Sequence, residues 1–124
     1  MLLDSNILIY AAQPQHAELR EFIAEHAPAV SVITHIEVLG YHKLRDVERT
    51  RFEEFFRAAE DVFPLSDGVV DQEIKLRQQR KISLGDSIIA ATSLVHDRIL
   101  VTHNINDFTW IENLSLLDPL REQA

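Results

Sequence analysis

Short apolar runs alternate along this chain with longer stretches of helical period, and no other feature restricts its fold as much. The runs Leu2-Leu3, Ala29 to Ile33, Val62-Phe63, Ile99 to Val101 and Leu114 to Leu117 are strand-length or shorter and mostly rich in Val, Ile or Leu. Between them, His16 to His26 sets Leu19, Phe22 and Ile23 on one helical face, and Val47 to Ala59 groups Phe52, Phe55, Phe56 and Ala59. Val69 to Arg80 puts Val70, Ile74 and Arg77 in one row. Ser87 to His96 is apolar nearly all round, as expected of a helix buried against a sheet. Strands alternating with helices build βαβ units. The expected fold is therefore α/β, with a mostly parallel central sheet, helices on both faces in three layers, and right-handed crossovers. Sheets of this kind carry their sites at the carboxyl ends of the strands.

A chain of 124 residues, 46% of them hydrophobic and 26% charged, suits a single domain over residues 1–124. The absence of cysteine excludes disulfides, thiolate metal sites and cysteine nucleophiles, and points to an intracellular, cytoplasmic protein. No apolar run approaches the roughly 18 residues of a membrane span, and the first ten residues lack the basic start and the length of a signal peptide. The net charge of −8 argues against a protein that coats nucleic acid by counterion release. It leaves open an enzyme acting on nucleic acid through bound divalent cations, because such a site concentrates carboxylates.

Four acids stand at element ends. Asp4 follows Leu2-Leu3, where the first strand stops and the next helix starts. Glu37 lies three residues after Thr34, Asp86 opens the most apolar helix three residues after Ser83, and Asp107 closes the turn after Ile99 to Val101. Each has a plain structural explanation: Asp4 as a helix N-cap, Thr34-x-x-Glu37 and Ser83-x-x-Asp86 as capping boxes, Asp107 as a turn residue. Together they ask for more. One sheet edge would collect all four, and clustered carboxylates repel and raise one another's pKa unless a cation lies between them. Ligands that are all oxygen suit Mg²⁺ or Mn²⁺ better than zinc.

These stretches resemble the PIN-domain ribonucleases, and among them the VapC-like toxins of type II toxin-antitoxin pairs, over essentially the whole chain. The matching pieces are LLDSNILIY, the Ser/Thr-x-x-Glu of ITHIEVLGY, GDSIIAATSL and LVTHNINDF, in the family's order. The resemblance implies a PIN-like α/β/α fold with Asp4, Glu37, Asp86 and Asp107 as the acidic catalytic site, Asp4 and Asp86 foremost as metal ligands. It makes Ser5, Thr102 and Asn104 residues that orient carboxylates or water. It also implies an antitoxin partner and a homodimer. At His103 many relatives carry Arg, so a phosphate contact there would be weaker. The expected chemistry is cleavage of RNA phosphodiester bonds with one or two Mg²⁺ (or Mn²⁺) ions. Glu37 serves either as ligand or as the base that takes the proton of the attacking water.

RNA must still approach an acidic chain. Lys75 to Lys81 holds four cations and no acid, so Arg80 and Lys81 are candidates to hold the phosphate backbone, the alternative being cations that complement a helix end. The aromatics from Phe52 to Phe56 have core spacing and can also shape a groove for an antitoxin helix. His16, His26, His35, His42 and His96 read as surface or structural. An aspartyl-phosphate enzyme would want a second Asp where Asn6 stands, and a receiver domain would want an acidic pair at the first strand. The remaining rival is a PIN-like module that binds without catalysis.

Overall fold

The computed structural model describes residues 1–121. The expected single domain over 1–124 thus ends in three residues, 122–124, that lie outside the described ones. The chain runs β1 (Leu2–Leu3), α1 (Ser5–Ala11), α2 (Ala17–His26), β2 (Val30–Ser31), α3 (Val32–Leu39), α4 (Asp46–Ala58) and β3 (Val62–Phe63). It continues through α5 (Asp67–Gln79), α6 (Leu84–Val95), β4 (Leu100–Val101), a 3-10 turn (Ile105–Asp107) and β5 (Leu116–Leu117).

All strand pairs are parallel. β1 pairs with β4 in the register Leu2 to Leu100, β4 with β5, and β2 with β3. A parallel bridge between Leu2 and Ala29 joins the two sets, giving the spatial order β3-β2-β1-β4-β5. From β1 the chain moves outward to β2 and β3, then returns to β4, so the order reverses between β1 and β4. That reversal is where open α/β sheets bind ligands.

Side chains of successive strand residues point to opposite faces, and this alternation builds two cores. Leu2, Leu100 and Phe63 pack with Val69 and Leu76 of α5 and with Ile88 and Ile89 of α6. Leu3, Val101 and Val30 pack with Ile7 and Leu8 of α1, Leu19 of α2, Val38 of α3 and Phe52 of α4. The three layers expected from the alternation are therefore present. Each fully buried Leu, Ile or Phe contributes about 1.5–3 kcal/mol of transfer free energy.

Two local expectations fail. The run from Ala29 to Ile33 is not one strand: Ser31 is the N-cap of α3, its hydroxyl accepting from Ile33 N–H at 3.2 Å, so Val32 and Ile33 already lie in the helix. Thr34 is then an interior helical residue and not a cap. On α5 the buried row is Val69, Glu73 and Leu76, while Ile74 is half exposed and Arg77 faces solvent, donating to Ile82 O at 3.1 Å. Glu73 occupies an apolar row because the Ser87 hydroxyl of α6 donates to it at 3.2 Å. Among the described residues no helix is long and apolar enough to cross a membrane.

Candidate active site

β1 delivers Asp4 to the carboxyl edge of the sheet, where its backbone N–H donates to Val101 O at 2.9 Å. Asp4 occupies the N-cap position of α1, yet its carboxylate caps nothing. Instead Oδ2 accepts the Thr102 hydroxyl at 2.8 Å across the β1–β4 junction. Thr102 is completely buried and its Oγ1 also accepts the backbone N–H of Asn104 at 3.1 Å, which sets the rotamer of the hydroxyl. Asn104 thus acts through its backbone, one bond removed from the carboxylate.

Asp4 is only 3% exposed, and burial pushes its carboxyl up to about 6. The Thr102 hydroxyl pulls the other way, and the nearby charges of Asp86 and Glu37 add to the rise. Asp86 sits in the first turn of α6, its backbone N–H donating to the Ser83 hydroxyl at 3.2 Å, so Ser83 is the expected cap. The Asp86 carboxyl also titrates above the usual range, first because of burial and then because Asp107 and Glu37 are close; the Ser83 hydroxyl opposes the shift. Asp4 thus feels the charges of Asp86 and Glu37, and Asp86 those of Asp107 and Glu37.

Glu37 projects from the interior of α3, where a capping box would have had no use for it. Ser5 Oγ donates to Glu37 Oε1 at 2.8 Å and lies 2.9 Å from Thr34 Oγ1. Thr34 is fully buried, so a chain of hydroxyls anchors the exposed Glu37 carboxylate from within the core. Gly85 gives that carboxylate room: a Cβ there would come 3.1 Å from Glu37 Oε2. Asp107 ends the 3-10 turn, exposed, with its backbone carbonyl accepting the Trp110 indole N–H at 2.9 Å.

The donors fit a hard divalent cation. They are all oxygen, they come from four separate segments, and the pKa values of Asp4 and Asp86 are raised first by burial and then by neighbouring acids, both of which a cation would offset. Among the described residues, no three His or acidic side chains stand arranged as a finished cage. Mg²⁺ tolerates this, since it usually keeps several waters and takes one or two carboxylates.

Arg80 and Lys81 line the same cavity as Asp86 and Asp107, about 310 Å³ in volume. His103 is engaged elsewhere: its Nδ1 lies 3.0 Å from Oδ2 of Asp118, a buried carboxylate that also accepts Leu120 N–H at 3.0 Å. Three participants escaped the sequence reading. Thr34 looked like a cap, Asp118 had no spacing signal, and Trp110 lay beyond the recognised motif. A larger cavity, about 630 Å³, opens away from the acids between α1, α2 and α4, lined by Leu8, Ile23 and Phe55 among others. Phe56 turns from it and stacks on His35 with centroids 4.3 Å apart.

No match emerges among curated protein sequences. Among solved structures, a chain of a toxin-antitoxin complex from Klebsiella pneumoniae shares 29% identity at a TM-score of 0.73, covering 95% of this chain and 96% of that one. VapBC2 from Rickettsia felis, solved bound to a promoter DNA fragment, matches at 23% identity and a TM-score of 0.80, with 94% and 96% covered. DNA-bound VapBC from Salmonella typhimurium matches at 21% and 0.81, with 95% and 96% covered. At those identities the latter two speak for the fold alone. The model of the PIN domain matches residues 1–111, which include Asp4, Glu37, Asp86 and Asp107, and this chain belongs to the PIN domain family.

Proposed function

We propose that this protein is a metal-dependent endoribonuclease and the toxin of a type II toxin-antitoxin pair. The observation that carries the reading is Asp4: a buried carboxylate at the topological switch, free of any capping duty, held by Thr102 and within the fields of Asp86 and Glu37. A carboxylate so placed is costly to a fold that uses it for nothing.

Asp4 and Asp86, with one or both of Glu37 and Asp107, would hold Mg²⁺ or Mn²⁺. The bound cation would supply a water of lowered pKa and neutralise charge on the phosphoryl oxygens. The chain's own residues set the geometry. Thr102 fixes the Asp4 carboxylate, and Ser5, backed by Thr34, fixes Glu37 Oε1. Glu37 is exposed enough to meet substrate and is oriented to take a proton from an attacking water, if it is not itself a ligand. Arg80 and Lys81 offset the repulsion between RNA and an acidic site.

The antitoxin is the second half of the reading. Toxin-antitoxin complexes recur among the structural relatives, and the apolar cavity between α1, α2 and α4 has the shape and lining that an amphipathic helix would fill. Phe52 and Phe55 belong to that wall. A homodimer, which the family resemblance implies, is part of the same proposal.

The rival is a module that binds without cutting, and the lack of a finished cage among the described residues is what favours it. Cleavage of a mixed pool of structured RNAs with Mg²⁺ or Mn²⁺ separates the two. Cuts that vanish in EDTA and in Asp4→Asn support the nuclease. Cutting that persists in excess EDTA sinks the metal, and no cutting under any metal leaves the binding module.

A further inference from the structure

We propose that Trp110 and Arg80 form a nucleobase-stacking subsite beside the acids, so that single-stranded RNA is gripped by a base as well as by its phosphates. The inference rests on the ribonuclease reading and adds to it the residues that bias which nucleotide lies at the cleavage point.

Trp110 is the only tryptophan of the chain. Its indole edge is pinned, because Nε1–H donates to the backbone carbonyl of Asp107 at 2.9 Å. The donor is thereby used, and what a ligand can meet is the exposed part of the ring together with the guanidinium that lies over it. The ring is half-buried against the α5/α6 core, so it is held rigidly. The Arg80 guanidinium lies over it, its central carbon 5.5 Å from the ring centroid.

Packing explains why Trp110 leans on the core. It does not explain why an exposed arginine lies over that ring in a cavity that also holds Lys81, Asp86 and Asp107. Trp110, Arg80, Lys81, Asn106, Asp86 and Asp107 all line the one cavity of about 310 Å³. Carboxylates alone would repel a polyanion. An indole with one guanidinium over it and a second cation beside it offers what single-stranded nucleic acid binds, a π-surface for a base and cations for phosphates. A base within a duplex is already stacked on its neighbours, so the subsite selects unpaired stretches, loops and ends. Because stacking reads a π-face and no hydrogen-bond pattern, base preference should be graded and not absolute.

A single tryptophan makes the subsite directly observable. The Asp4→Asn protein in Mg²⁺ is titrated with single-stranded RNA hexamers of each base and with an abasic hexamer of equal charge. The expected result is saturable quenching of Trp110 fluorescence by base-bearing hexamers and none by the abasic one. With labelled RNA, Trp110→Ala should bind about 5- to 150-fold more weakly, from a stacking contribution of about 1–3 kcal/mol per base, and Trp110→Phe should recover most of the loss. Equal quenching by the abasic hexamer overturns the proposal even if Trp110→Ala folds poorly, since that comparison uses the intact ring. Unchanged affinity in a folded Trp110→Ala overturns it as well. If either occurs while the unmodified protein still cuts RNA in Mg²⁺, the subsite alone is lost. If the protein neither binds nor cuts RNA, the ribonuclease reading falls and the subsite with it.

Discussion

Asp4 carries the largest electrostatic tension in the molecule. Its carboxyl titrates at about 6 in the folded state against an ordinary 3.8, so at neutral pH the ionised group costs the fold on the order of 3 kcal/mol. The sign follows from proton counting. Between those two values the folded chain holds a proton that the unfolded chain has released, so this group's contribution to stability improves as pH falls through 6 and levels off below about 3.8. Asp4→Asn keeps an oxygen for the Thr102 hydroxyl and removes the charge. In EDTA, denaturant unfolding should find the variant more stable than the parent at pH 7.5, with the difference shrinking toward pH 4. A difference that does not change with pH would mean that the site is already relaxed without a cation. None of this is visible in the stretch LLDSNILIY. The motif places an acid at a strand end, whereas its burial and its partner come from β4, nearly a hundred residues away.

At the scale of elements, α3 packs against α6, and Gly85 lies beside the Glu37 carboxylate. A methyl group at Gly85 would meet Oε2 at 3.1 Å and Cδ at 3.5 Å, so the carboxylate has to give by a few tenths of an ångström, which strains the Ser5 bond to its other oxygen. Gly85→Ala should therefore lower RNA cleavage by about tenfold or more, as loss of a carboxylate-orienting contact does. Thermal stability should stay level or rise by up to about 1 kcal/mol from helix propensity. A stable variant with full activity would show that the Ser5–Glu37 contact is dispensable. The elements were unevenly legible in the sequence. The helix from Leu84 to Val95 announces itself by Ser83 and a mostly apolar stretch from Ile88 to Val95. The start of α3 does not, since Val32 and Ile33 suit a strand as well as a helix, and only the Ser31 hydroxyl turning onto Ile33 N–H decides between them. On α5, two rows compete as the buried face. The row of Val70, Ile74 and Arg77 and that of Val69, Glu73 and Leu76 each hold an apolar pair and one charged residue, and the second row is buried, with Ser87 there to bond Glu73.

Over the whole molecule, the proposed function requires an acidic chain to receive a polyanion through a small cationic margin. Arg80 and Lys81 are both exposed at the cavity that holds Asp86 and Asp107. The Arg80→Ala, Lys81→Ala double variant should weaken RNA binding and reduce the slope of log K against log salt by about 1 to 1.5, as removal of two single-strand phosphate contacts does. An unchanged slope would assign these cations to the end of α5. By itself, the sequence determined the α/β class and the parallel sheet, because period and run length report which faces are buried. It also placed Asp4, Asp86 and Asp107 at strand, helix and turn ends, because cap and turn chemistry is local, whereas Glu37 lies inside α3. Only the tertiary structure decided that Asp4 is bound by Thr102 and not by its own helix, that Thr34 backs Ser5, and that Trp110 lies under Arg80. Those are contacts between side chains far apart along the chain, and they exist only once the crossovers have laid β1 between β2 and β4.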